Sequence, residues 1–245
     1  MNPVAKLAAA AVLAVCLVLT IDPVSAGVAL VLELALFPLL GIPWATFWRR
    51  TLPVWIAAPL TALTIALYGR TSGTVYVEFL FVRISDGSLE FALATLLRVL
   101  AIALPAVVLF ATIDPTDLAD GLAQVLHLPP RFVLGALAGV RLMGLAMDDW
   151  RSVALARRAR GVADRGVIRR FFGQAFTLLV LSLRRASTLA TAMEARGFGA
   201  VGPRTWARES RWGAREWLLV LVGAAIGGIA LTAAILTGNW RPLIG

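Results

Sequence analysis

Two Ala-Arg-Gly triplets, Ala159-Arg160-Gly161 and Ala195-Arg196-Gly197, stand at the ends of consecutive helical stretches in the one strongly basic part of this chain. A guanidinium at a helix end projects a planar fork of donors that takes a carboxylate bidentately, which a lysine ammonium cannot match. Two such forks on linked helices offer a two-point contact with an acidic groove, and a two-point contact transmits rotation as well as pull. The triplets also have a plain structural use. Arg in a last turn complements the terminal carbonyls, and Gly just beyond supplies a left-handed cap.

Other residues capable of chemistry are few. The only lysine is Lys6, with no glycine-rich loop before it, so a Walker-type phosphate site is excluded. His127 is the lone histidine and precedes Pro129-Pro130, the place of a turn residue rather than a catalytic one. Asp148 and Asp149 resemble an acid pair, but neighbours on a helix point about 100° apart and do not converge. They are expected to meet Arg141, Arg151 or a neighbouring helix. Cys16 lies in an apolar run, so no disulfide framework is available. No catalytic residue, cofactor site or metal site is expected.

The elements that carry the triplets follow from composition. Apolar residues make up 60% of the 245, charged residues only 15%, and the mean hydropathy is +0.84. A soluble domain would be roughly half apolar and about a quarter charged. The expected class is an all-α polytopic membrane protein with about five transmembrane helices and a cytoplasmic helical coupling domain. Apolar runs of bilayer length fall at about 4–21, 24–42, 52–68, 89–113 and 217–237. The start imitates a signal peptide, with Lys6, an apolar run and Val24-Ser25-Ala26. Asp22-Pro23 before a second apolar run fits a tight helical hairpin better. Trp48-Arg49-Arg50 reads as a basic loop before the third span, and residues 69–88 as an external loop or short hairpin with a β-favouring stretch at 74–82.

The net charge of +9 is regional: 15 of the 23 basic residues lie between Arg141 and Arg215, against five acidic ones. A basic excess beside spans marks the cytoplasmic side. That places the N-terminus, the Arg49-Arg50 loop and residues 114–213 inside the cell membrane and the C-terminus outside. No basic module interleaved with aromatics appears, so nucleic acid is not an expected partner. Glu33 and Arg98 fall within spans and are expected to face protein or an interface rather than lipid.

The basic segment opens with a helix start at Asp114-Pro115-Thr116-Asp117 and a short helix ending near Leu126. A long helix at about 131–160 follows, with an apolar stripe of Val133, Leu137, Val140, Met143, Met147, Trp150 and Ala154. After a polar turn at 162–166, a second stripe runs from Phe172 through Phe176, Leu179 and Leu183 to Ala190, and Gly197 and Gly199 end that helix. Periodicity leaves open whether these two helices lie on the membrane, cross one another or dip into it.

At these residues the sequence resembles the transmembrane T component of energy-coupling factor transporters, a branch of the ATP-binding cassette importers for vitamins and transition-metal ions. Residues 192–199, Ala-Met-Glu-Ala-Arg-Gly-Phe-Gly, resemble that family's second signature and residues 156–161 its first, with Ala156-Arg157-Arg158 as an alternative register. Asp114-Pro115-Thr116-Asp117-Leu118 resembles the entry to its coupling region. Leu128-Pro129, Arg141-Leu142 and Asp148-Asp149 resemble its first long coupling helix, and Asn2-Pro3 with Lys6-Leu7 its start. The likeness is strongest over 113–200.

The resemblance implies a non-enzymatic scaffold in three parts: helices at 1–113, a coupling domain at 114–213 and a last helix at 214–245. It implies that Arg160 and Arg196 each meet an acidic residue on one of two cytoplasmic ABC ATPase subunits, flanked by Ala159, Gly161, Ala195 and Gly197. It further implies a membrane-embedded substrate-binding S component as partner. A self-sufficient channel or secondary carrier is the alternative, which would favour paired intramembrane charges. An integral membrane enzyme that holds lipid phosphate on arginine ranks below both, for want of a convergent set of reactive side chains.

Overall fold

A computed structural model describes residues 1–20, 22–41, 43–69, 72–79, 82–161, 166–199 and 205–238. Its elements are α1 (Pro3–Val18), α2 (Pro23–Leu36) continued by a 3-10 turn at Phe37–Leu40, α3 (Trp44–Tyr68), β1 (Val75–Phe79), β2 (Val82–Ser85) and α4 (Asp86–Phe110). Then come α5 (Pro115–Gln124), α6 (Pro130–Ala159), α7 (Val167–Ala195) and α8 (Ala214–Leu236). The protein is all-α and polytopic, its only sheet among the described residues being the antiparallel β1–β2 hairpin. The chain divides into two compact units, Met1–Asp114 with Arg211–Gly245, and Pro115–Ser210.

In the first unit, caps written in the sequence set the helix starts. Asn2 accepts the Val4 N–H at 3.0 Å and Asp22 the Ser25 N–H at 2.6 Å, each just before a proline at the first helical position. Asp22-Pro23 thus opens α2 directly after α1, as a tight hairpin requires. Ser85 and Ser88 cap α4 reciprocally, stopping the β-hairpin where that helix begins.

The core of this unit joins α1, α2, α3, α4 and α8 through Leu17, Ala29, Ala58, Ala101, Leu104 and Ala230. Small residues let backbones approach: a Cβ added to Gly223 of α8 would lie 2.8 Å from the Ala9 carbonyl oxygen of α1. Glu33 is buried, and neither it nor Arg98 forms an ion pair among the described residues.

One sequence expectation is corrected here, and the bounds of two apolar runs are sharpened. Trp48-Arg49-Arg50 is not a loop: α3 begins at Trp44 and carries these residues in its second turn. No helix-breaking residue separates Trp44 from the apolar run, so the helix simply extends past it. The runs expected at 4–21 and 24–42 fold into helices of 16 and 14 residues, the second ending where Pro38 and the left-handed Gly41 tighten the chain into a 3-10 turn. Among the described residues four helices are long and apolar enough to cross a membrane, by length and composition: α3, α4, α6 and α8.

In the second unit α5 packs on α6 through Ala119, Ala123 and Val133, with Leu122, Leu137 and Trp206 around them. Gln124 fastens the chain that follows α7, donating to the Arg208 carbonyl at 2.8 Å and accepting the Ser210 N–H at 2.8 Å. Along the expected α6 stripe only Val133 is buried. Met143 and Met147 are each 69% exposed, so the middle of this stripe is not spent on packing within the chain.

Candidate functional site

Helices α6 and α7 form an antiparallel pair, recorded by three sets of contacts spread along their length. Near the connection Arg157 Nη2 donates to the Gly173 carbonyl at 2.8 Å. In the middle Arg185 forks onto both oxygens of Asp149, with Nη2 to Oδ1 at 3.1 Å. At the far end Arg131 Nη2 donates to the Gly199 carbonyl at 2.9 Å.

Both Ala-Arg-Gly triplets terminate a helix with the same backbone. Arg160 is the C-cap of α6 with φ −89° and ψ 4°; Arg196 is the C-cap of α7 with φ −89° and ψ 10°. Gly161 and Gly197 follow with φ +67° and +78°, a region that a Cβ disfavours. The Gly161 N–H reaches back to the Arg158 carbonyl at 3.0 Å and the Gly197 N–H to Glu194 at 2.9 Å. At α7 the Phe198 N–H closes the second bond, to Met193 at 2.9 Å, completing a Schellman cap.

Glycine's role is therefore structural, and the cap fixes the direction in which each preceding arginine leaves its helix. All six residues, Ala159, Arg160, Gly161, Ala195, Arg196 and Gly197, are exposed. Among the described residues neither the Arg160 nor the Arg196 guanidinium has a hydrogen-bond or ion-pair partner. Arg157, the rival register, is turned into the α6–α7 contact and is occupied there, its Nη2 also lying 3.5 Å from Thr177 Oγ1.

The antiparallel arrangement sends the two arginines to opposite ends of the pair. With 29 residues in α7, at about 1.5 Å of rise each, they stand about 40 Å apart. One small acidic groove cannot take both, which narrows the two-point contact of the sequence reading to two separate acceptors. Arg196 also borders a cleft of about 970 Å³ between the first half of α6 and the end of α7. The cleft is ringed by Arg131, Arg141 and Arg185 as well, over an apolar floor that includes Leu142 and Leu189. Sequence reasoning missed this cleft, because only the antiparallel fold brings residues near 131 beside residues near 196.

The remaining candidates resolve simply. Asp149 meets Arg185 of the neighbouring helix while Asp148 is exposed, so the two do not converge. His127 sits at φ +53° in the break between α5 and α6, its Nδ1 3.1 Å from the Val125 carbonyl oxygen, as a turn residue does. Among the described residues no three His, Cys, Asp or Glu side chains gather into a metal-ligating group.

Comparison with known proteins gives the family. The family model described as CbiQ, cobalt transport protein, matches residues 1–205, a stretch that contains both triplets and the whole α5–α7 unit up to Thr205. The chain belongs to this family. Curated relatives carry the name energy-coupling factor transporter transmembrane protein EcfT. One, from Limosilactobacillus fermentum, is 28% identical over 214 residues, covering 82% of this chain and 80% of the relative. Another, from Bacillus selenitireducens, is 28% identical over 234 residues, covering 91% and 87%. A third, from Lactococcus lactis subsp. cremoris, reaches 33% identity over 154 residues, 58% of each chain. Family membership agrees with the resemblance carried by residues 113–200, and with a multi-pass membrane protein.

Proposed function

We infer that this chain is the non-catalytic transmembrane coupling subunit of an energy-coupling factor type importer. It transmits ATP-driven motion of two cytoplasmic ABC ATPase subunits to a membrane-embedded substrate-binding S component, for uptake of a vitamin or transition-metal ion. The observation that carries this reading is the pair of exposed arginines at opposite ends of α6–α7, each at a helix end followed by a left-handed glycine and unpaired among the described residues. Each presents its fork to one ATPase: Arg160, with Ala159 and Gly161, to one, and Arg196, with Ala195 and Gly197, to the other. The small alanines keep the approach clear, and the helix hairpin between them is a lever about 40 Å long.

The exposed apolar surface supports the membrane side of the same reading. Met143 and Met147 on α6, and Phe172, Phe176 and Leu183 on α7, are uncovered in the isolated chain. An apolar, adaptable surface of this kind suits a membrane protein partner.

Orientation follows from one end of the membrane unit. There Lys6 reaches Thr112, Arg50 reaches Ala111, and Asn2 reaches Arg211 and Glu216, which puts Lys6, Arg50 and Arg211 at the end where residues 114–213 leave the unit. On this reading that end, the N-terminus and the coupling domain at 114–213 are cytoplasmic.

The test is reconstitution with two cytoplasmic ABC ATPase subunits from the same organism. Arg160→Glu and Arg196→Glu are expected to leave the chain inserted while weakening ATPase co-purification, with the double change abolishing it. Full assembly and ATP-driven uptake by the double variant would overturn the assignment. Uptake by this chain alone in liposomes without ATP would instead favour the self-sufficient carrier.

A further inference from the structure

Lys6, Arg49 and Arg50 are three cations of the membrane unit that take no part in the proposed ATPase contact. Two of them converge on the C-terminal end of α4. Lys6 Nζ donates to Thr112 Oγ1 at 2.6 Å and to its carbonyl at 3.2 Å, and Arg50 Nη1 donates to the Ala111 carbonyl at 2.6 Å. These bonds complement the negative end of the α4 dipole and hold both cations in place. Each retains donors beyond those bonds, Arg50 four N–H groups and Lys6 one. Arg49 is exposed and makes no recorded bond, and no carboxylate pairs with any of the three among the described residues.

A lipid-facing stripe begins at the same level. Trp44 and Trp48, 66% and 41% exposed, occupy one side of the first turns of α3, their rings set edge to face at 6.0 Å. The stripe continues at helical spacing through Leu52, Ile56, Leu60 and Leu63, all more than half exposed. From Leu52 to Leu63 it runs about 16 Å, half of a hydrocarbon core about 30 Å thick. Indole rings settle at the boundary between headgroups and acyl chains. Trp44 and Trp48 therefore set Arg49 and Arg50 at the depth of lipid phosphates.

We propose that Lys6 and Arg50 hold the phosphate of one anionic phospholipid, that Arg49, about 100° round α3 from Arg50, meets the same headgroup from the side of the apolar stripe, and that an acyl chain lies along Leu52, Ile56 and Leu60 of α3. Charge selects the occupant: a net-anionic headgroup meets three cations without a competing carboxylate, whereas a zwitterionic one brings its own cation among them. The apolar stripe selects a lipid over a free phosphate. The site ties the ends of α1, α3 and α4 to one leaflet, and so steadies the frame on which the coupling helices act.

The experiment is native mass spectrometry of the full chain in detergent with equal amounts of dioleoyl phosphatidylglycerol and dioleoyl phosphatidylcholine. One phosphatidylglycerol per chain is expected to be retained in preference. Arg49→Gln should cut that preference about fivefold, since a basic residue at an anionic surface contributes about 1 kcal/mol, and Arg49→Gln with Arg50→Gln about twentyfold. Arg49 has no bond within the chain, so its variant tests the site without disturbing the end of α4. Arg151→Gln, the same charge change on α6, should leave the preference intact, and glycerol phosphate should not displace the lipid. Equal retention of the two lipids, displacement by glycerol phosphate, or an equal loss in Arg151→Gln would overturn the proposal.

Discussion

Arg157 Nη2 lies 2.8 Å from the Gly173 carbonyl oxygen, binding α6 to α7. Three residues on, Arg160 reaches nothing among the described residues. Two arginines one helical turn apart thus differ in kind: one is committed inside the molecule, the other is available to a partner. Arg157→Ala removes a charged donor from a partly buried carbonyl and is expected to cost about 1–3 kcal/mol. Arg160→Ala should stay within about 0.5 kcal/mol. Thermal unfolding of the detergent-solubilised chain separates them, and equal effects would mean that the two registers are not distinguished by this contact.

Because Arg160 and Arg196 stand about 40 Å apart, their contributions to ATPase docking should be independent. Each charge reversal is expected to weaken assembly by about 2–5 kcal/mol, and the two losses should add within about 0.5 kcal/mol. Titrating the ATPases against the single and double variants in nanodiscs gives the cycle. A large coupling energy would place both arginines in one binding pocket and contradict the antiparallel separation.

Gly223 and Gly227 differ in what their missing side chains avoid. A Cβ at Gly223 would press on the Ala9 carbonyl oxygen at 2.8 Å, and one at Gly227 on Cys16, at 2.7 Å from its Cβ and 2.8 Å from its Sγ. Either alanine substitution should destabilise the α1–α8 contact by about 1–3 kcal/mol. Cys16→Ala removes only the Sγ contact, leaving the closer Cβ one, and should recover part of the loss in Gly227→Ala but none in Gly223→Ala, whose obstacle is backbone. Chemical unfolding in mixed micelles reads the difference, and rescue of both or of neither would show that these close approaches do not set the packing.

The Arg185–Asp149 pair joins the middle of α6 to α7 and is only partly covered, so its contribution is modest. Asp149→Asn is expected to cost about 1 kcal/mol or less. Exchanging the two residues should recover most of the loss in a double-mutant cycle, at low salt more than at high salt. If the cycle gives no coupling at low salt, the α6–α7 pair is held by Arg157, Arg131 and apolar contact instead.

The sequence by itself determined the class and the ends of the elements. Apolar runs too long and too uncharged for a soluble domain demand a bilayer, and local chemistry marks the boundaries. Asn2 and Asp22 before prolines, Ser85 with Ser88, and the Arg-Gly pairs at 160–161 and 196–197 all act within a few residues of themselves, which is why they are legible in one dimension. The start of α3 was not legible, because the residues at 44–50 carry no local start signal; what holds those turns from outside α3 is Phe37 against Phe47 and the Arg50 bond to the Ala111 carbonyl. Nor could spacing distinguish Arg157 from Arg160, since both are arginines near one helix end. Only the approach of α7, which places the Gly173 carbonyl beside one and open space beside the other, decided which arginine is free. The separation of the two triplets was likewise a matter of tertiary structure. Thirty-six residues of sequence are compatible with one shared pocket or with opposite ends of a hairpin, and the contacts at 157–173, 149–185 and 131–199 select the second.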